Sequence, residues 1–235
     1  MKILGFIPAR GGSKSIKLKN IFRINKYSLI QYSYNSAKKS KIFSKIVCST
    51  DNELIKKEIN DKYVVVDTRP RKLCGDKVNV VNVVLDYLQR SEEKFDWVFL
   101  IQPTSPFVLP SHLKSCIEVI KKYKEINSVQ TVCSPPHNYH PYNSRVIKNN
   151  KIEFLFKKER LKSYNKQKKI DTYIFGNLVA TRVKSLIQYS NFFAEPSYPI
   201  KIDRKYCFDF DTLEDVEIGK LISKAFFKDL KKEIK

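Results

Sequence analysis

Ile7-Pro8-Ala9-Arg10-Gly11-Gly12-Ser13-Lys14-Ser15-Ile16-Lys17-Leu18-Lys19-Asn20 is the stretch from which the fold of this chain is read. Just ahead of it, Ile3 to Ile7 is a short apolar run of the kind that forms a strand buried on both faces of a parallel sheet. Pro8 ends the run. Gly11 and Gly12 then permit positive φ, so that successive N–H groups can line one concavity, while Arg10, Lys14, Lys17 and Lys19 bring positive charge to it. An anion is the expected occupant, and a solvated basic turn is the other reading of the same residues. The spacing fits neither the Walker A loop nor the Gly-x-Gly-x-x-Gly turn, so the two common nucleotide fingerprints do not apply.

Outward from this loop, strand and helix signals alternate. Leu29 to Lys39 carries apolar residues at helical spacing. Lys45 to Ser49 reads as a strand ending in Thr50-Asp51, Glu53 to Ile59 as its helix, and Tyr63 to Val66 as a third strand. Such an order predicts an α/β fold built on a doubly wound, mostly parallel sheet. Ligands of these sheets sit beyond the carboxyl ends of the strands, where Arg10, Asp51, Arg69 and Gln102 would gather. Val78 to Arg90 reads as helix on periodicity despite its valines, Asp96 to Ile101 is the clearest core strand, and a helix over Pro110 to Lys124 and a strand over Ser128 to Cys133 follow. Gln102-Pro103-Thr104-Ser105-Pro106 forms a stiff polar loop that cannot continue a ladder.

Near the end, Tyr206 to Thr212 reads as a strand tip with Asp209 and Asp211 on one face and Phe208 and Phe210 on the other. Adjacent carboxylates repel unless a cation lies between them, and Mg2+ suits one or two carboxylates plus phosphate oxygens. A solvated turn, or a cap by Asp211 of a helix beginning near Leu213, would also account for the pair.

At 235 residues and 42% hydrophobic content, the chain suits a single domain over 1–235 with a full core. Its net charge of +21, from 45 Lys and Arg against 24 Asp and Glu, invites nucleic acid or an anionic membrane as partner. The lysines are dispersed and no RNA-binding signature appears, so neither partner is expected, and the charge is read as an attraction for anionic substrates. Five cysteines without a Cys-x-x-Cys pair read as reduced packing residues. With no run of 18 apolar residues, a cytoplasmic protein is expected. From about 135 to 172 the character changes: residues 145–169 hold ten Lys or Arg against Glu153 and Glu159, which reads as an exposed basic excursion.

The string Ile7 to Lys14 followed by Lys19-Asn20, Arg69-Pro70 with Leu73 and Asp76, Gln102 to Pro106, and Asp209-Phe210-Asp211 together resemble the acylneuraminate cytidylyltransferases, the CMP-sialic acid synthetases and their relatives. The resemblance runs from about residue 3 to 219. It implies a nucleotide-diphospho-sugar transferase-like, Rossmann-like fold with a small β-rich dimerisation excursion, and activation of a nonulosonic acid of sialic, legionaminic or pseudaminic type with CTP. By the same resemblance Ala9, Arg10, Ser13, Lys14, Asn20, Arg69 and Asp76 bind the nucleotide, with Arg69 reading cytosine. Gln102, Ser105, Lys166, Gln167 and Tyr173 bind the sugar, Asp209 and Asp211 hold the metal, and Arg10, Lys19 and the two aspartates are catalytic. A homodimer with sites completed across subunits is implied as well. Ser15, Lys17, Val108, Ile170 and Phe175 depart from the family pattern. A DxD glycosyltransferase and a basic RNA-binding module are the alternative functions.

Overall fold

The computed structural model describes residues 1–13, 15–163 and 165–234, and the side chains of all of these except Lys166 and Ile234. Its elements in order are β1 (Ile3–Pro8), β2 (Arg23–Ile24), β3 (Tyr27–Ser28), α1 (Leu29–Ser40), β4 (Lys45–Thr50), α2 (Glu53–Glu58), β5 (Val64–Thr68), α3 (Val80–Arg90), β6 (Trp97–Leu100), α4 (Pro110–Lys122), β7 (Ser128–Cys133), β8 (Arg145–Lys148), β9 (Lys151–Phe154), α5 (Lys157–Lys162), β10 (Ile174–Arg182), α6 (Val183–Tyr189), β11 (Ser197–Lys201) and α7 (Glu214–Ile234). Seven strands form one sheet in the order β11-β7-β10-β6-β1-β4-β5. Every neighbouring pair in it is parallel except the two made by β10.

Period-two geometry explains the two buried faces. Ile3 and Ile7 of β1 point into one apolar layer with Ile30 and Ala37 of α1 and Leu113 and Cys116 of α4. Leu4 and Phe6 point into the opposite layer, under Val81, Val84 and Leu88 of α3 and Leu186 of α6. The helical reading of the valine-rich segment therefore holds: its valines at helical spacing cover the sheet. A third cluster lies beyond the sheet, where Ile16, Ile24, Tyr32, Phe107 and Phe210 pack beneath Phe226 and Leu230 of α7.

The segment from Tyr206 to Thr212 is not a strand. A short 3-10 turn covers Arg204–Tyr206, and the chain then runs without ladder partners, held to the Gln102–Pro106 loop by a backbone bond from Phe210 N–H to Thr104 O at 2.9 Å and by a side-chain bond from Ser105 to Asp209. Phe210 is fully buried and Asp209 and Asp211 are exposed, so the expected alternation survives without the sheet. The basic excursion contains the antiparallel hairpin β8–β9, which pairs with no strand of the main sheet.

Candidate active site

β1, β4, β5 and β6 end side by side, and the segments that follow them wall a cavity of about 260 Å³. Arg10, Ser13, Lys19 and Asn20 come from the loop after β1. Arg69, Leu73, Gly75 and Asp76 follow β5, Val80 and Val83 belong to α3, and Gln102 to Thr104 follow β6. Of the gathering expected from topology, Arg10, Arg69 and Gln102 line this cavity, whereas Asp51 does not, its carboxylate being turned to Gly11 N–H.

The glycine loop reaches its shape by a different route from the one expected. Neither Gly11 nor Gly12 has a positive φ, and Leu18, at φ 51°, is the left-handed residue among the described residues of the segment. Gly11 is required because a Cβ there would lie 2.7 Å from Asn52 Nδ2, on the side chain that caps α2. Its N–H donates to Asp51 Oδ1 at 2.8 Å, and Ser13 N–H donates to Gly11 O. Those two N–H groups are committed to other protein atoms, and the cationic side chains lining the cavity are those of Arg10, Lys19 and Arg69. Ala9 departs from expectation too: its side chain is buried in the core and its N–H donates to Ser49 O, so it does not line the cavity. Lys14 lies outside the described residues.

Arg10 Nη1 donates to Asp76 Oδ1 at 2.7 Å across the cavity, and Asn20 Nδ2 donates to Arg10 O, fixing the loop's path. Arg69 is 6% exposed, and its Nη2 donates to Ser49 O at 2.8 Å. Burial depresses the Arg69 pKa and the nearby Asp51 charge partly restores it, leaving a guanidinium at the cavity wall.

At the rim, Ser105 hydrogen-bonds to Asp209, and Lys19 Nζ lies 3.1 Å from Asp211 Oδ1. Asp209 reaches solvent, yet protein crowds its carboxyl. This burial raises its pKa, the Ser105 hydrogen bond offsets part of the rise, and the Asp211 charge adds to it. Asp211 does not cap the last helix. Asp215, in the first turn of α7, accepts instead from the N–H groups of Asp211 and Thr212, tying the acid pair to the helix.

Asn177 is a positioning residue that sequence reasoning missed. At the irregularity in β10 its buried Nδ2 donates to Phe107 O and Tyr206 O, joining the loops that carry Ser105 and Asp209. The pair Gly176-Asn177 inside an apolar run was the available signal. Gln167 and Tyr173 do not line this cavity: both are exposed on the excursion, where Lys201 stands over the Tyr173 ring. The side chain of Lys166 lies outside the described residues. His140 is committed locally, its Nδ1 accepting from Tyr142 N–H and its Nε2 lying 3.0 Å from Ile170 O.

A cationic cavity at the carboxyl edge of a mostly parallel sheet, with paired acids at its rim, defines a nucleotidyltransferase-type α/β enzyme. The chain belongs to the cytidylyltransferase family, whose model matches residues 4–232. It is 31% identical to post-translational flagellin modification protein B of Campylobacter coli, covering 95% of both chains. It is also 30% identical to the CMP-N,N'-diacetyllegionaminic acid synthase of Legionella pneumophila over 86% of this chain and 88% of that one. The pseudaminic acid cytidylyltransferase of Campylobacter jejuni is 28% identical over 96% and 97%. Among solved structures, CMP:2-keto-3-deoxy-manno-octonic acid synthetase complexed with CTP superposes with a TM-score of 0.71 at 14% identity, covering 96% of this chain and 99% of that one. That likeness is one of fold.

Proposed function

We propose that this enzyme joins CTP to a nonulosonic acid, giving the CMP-sugar and pyrophosphate. The observation that carries the proposal is the convergence of Arg10, Lys19 and Asn20 with Arg69 around one cavity whose rim holds Asp209 and Asp211. Relatives named for legionaminic and pseudaminic acids support the sugar class.

Arg69 can donate to the O2 and N3 acceptors of cytosine together, which the single point charge of lysine cannot copy. Arg10 and Lys19 neutralise charge that builds on the phosphate oxygens as the anomeric hydroxyl oxygen attacks the α-phosphorus and the bond to the β-phosphate oxygen breaks. Gln102, which lines the cavity, and Ser105, bonded to Asp209 at its rim, would contact the sugar acid.

Mg2+ fits the rim. Asp209, Asp211 and the Ser105 hydroxyl offer oxygen donors only, and the burial and repulsion that raise the Asp209 pKa are what a cation would offset. Among the described residues no group of three or more His, Cys, Asp or Glu forms a metal cage, so phosphate and water would complete the shell. Bound there, the ion would polarise the α-phosphate and lower the pKa of the attacking hydroxyl.

A homodimer is part of the proposal. Ile147 and Ile152, paired across the β8–β9 hairpin, are 76% and 67% exposed, and Leu161 of the following α5 is 71% exposed, apolar surface that a second copy would cover. Gln167 and Tyr173, which do not line the cavity of their own chain, would then serve the partner's sugar site. The five free thiols favour the reducing cytoplasm as its place of action.

Pyrophosphate release from each of the four nucleoside triphosphates against a panel of eight- and nine-carbon keto acids tests the reading. Release is expected with CTP and a nine-carbon acid. Equal release from other triphosphates, or none with any acid, would overturn it.

A further inference from the structure

Asp67 is a buried carboxylate in β5, 8% exposed, at the register position beside Ser49 of β4. An acid on a sheet face costs stability unless it is fully paired. Here both oxygens are taken: Ser49 Oγ donates to Oδ2 at 2.8 Å and Arg90 Nη1 to Oδ1 at 2.9 Å. Arg90 is held in turn by Asp86, one turn earlier on α3, through Nε at 2.7 Å. A continuous polar chain therefore runs from the surface of α3, through β5 and β4, to the cavity wall.

Its end is Arg69. A serine hydroxyl has one proton, and that of Ser49 is committed to Asp67, which leaves Ser49 Oγ only lone pairs to present to Arg69. Arg69 Nε faces that oxygen at 3.4 Å while Nη2 donates to the Ser49 carbonyl at 2.8 Å. Nη1 has no partner among the described residues and belongs to a side chain that lines the cavity. Without Asp67, the Ser49 hydroxyl could turn its proton towards the guanidinium and remove one of the two acceptors that orient it.

We propose that Asp67, tethered by Arg90, is a positioning residue that holds Arg69 through Ser49 and so sets both the affinity for CTP and its preference over UTP. The proposal rests on the reading of Arg69 as the residue that reads the base. A donor held at a fixed point accepts cytosine, whose N3 is an acceptor, and opposes uracil, whose N3 carries a proton. A guanidinium free to swing discriminates less and must be ordered when the ligand binds.

Steady-state kinetics of the intact enzyme with CTP and with UTP test this, together with direct calorimetric binding of each nucleotide. Asp67→Asn should raise KM for CTP about tenfold and leave kcat within about twofold, because base contacts are made equally in ground and transition states. It should also narrow the CTP-to-UTP preference, which a merely structural role would not move. Arg90→Ala should shift both quantities in the same direction and Arg90→Lys should recover part of the loss. Combining Asp67→Asn with Arg69→Lys should do little more harm than Arg69→Lys alone. If Asp67→Asn does not fold, Ser49→Ala carries the same expectation. An effect of Arg69→Lys on CTP affinity with none from Asp67→Asn or Ser49→Ala would overturn the relay and leave the base reader standing. No effect of Arg69→Lys would overturn the base reader and the relay with it.

Discussion

Lys19 and Asp211 form an ion pair at 3.1 Å, so a metal ion held at the rim would compete with a cationic partner for that carboxylate, and the ammonium would then be free to meet phosphate. Asp211→Asn should leave the fold intact and lower turnover about 100-fold, the scale of one lost transition-state contact. The check is kcat at low magnesium against a matched thermal melt. Arg69→Lys should act the other way round, raising KM for CTP while kcat changes little. Asp209 gives a pH signature. Its folded-state pKa is raised, so the ionised form is disfavoured in the native protein; its stability contribution falls as pH rises through that pKa, and its capacity to hold a cation falls as pH drops through it. The acid limb of kcat/KM should therefore lie above the usual aspartate range. Ser105→Ala, which removes the hydrogen bond that lowers the pKa, should move that limb to still higher pH.

At the level of elements, α7 and the acid loop are fitted together through Gly219. A Cβ at Gly219 would sit 2.1 Å from Phe210 Cζ, in a ring that is wholly buried. Gly219→Ala should cost about 1–3 kcal/mol by overpacking and weaken metal binding at the same time, since Phe210 lies between the two aspartates in sequence; a lowered melting midpoint together with a raised Mg2+ requirement is the expected result. Much of this architecture could be read from the sequence. Residues such as Arg10, Lys19, Asn20, Arg69 and Gln102 follow strand ends, and strand ends meet in a parallel sheet. β10 could not be read so easily, because Gly176 and Asn177 disfavour strands locally and are tolerated only through contacts far away in sequence. A Cβ at Gly176 would stand 2.6 Å from Thr131 Oγ1, and that oxygen accepts from the N–H groups of Asn177 and Leu178. Alternation of Phe and Asp near residue 209 suggested a strand because burial alone imposes the pattern. Gly11 was read as a turn residue, whereas its want of a side chain is what matters.

For the molecule as a whole, a charge of +21 should act on encounter more than on fold. With a screening length of about 8 Å at physiological salt, kcat/KM for CTP should fall steeply as salt rises while kcat stays nearly level. If sites are shared across a homodimer, mixing Asp211→Asn chains with Lys166→Ala chains, each inactive alone, should restore part of the activity through hybrid dimers. A fully active monomer by sedimentation, or no recovery after verified subunit exchange, would count against sharing. The third apolar cluster has a consequence for synthesis. Ile16, Ile24 and Tyr32 leave the ribosome well before their cover, Phe226 and Leu230. Because distant contacts form only once both partners exist, the glycine loop that carries Arg10 and Lys19 rests on an open aromatic surface until α7 has been made. A nascent chain stalled before α7 would bear most of the cavity's residues and still be inert, and its exposed aromatic surface would be the feature a chaperone meets first.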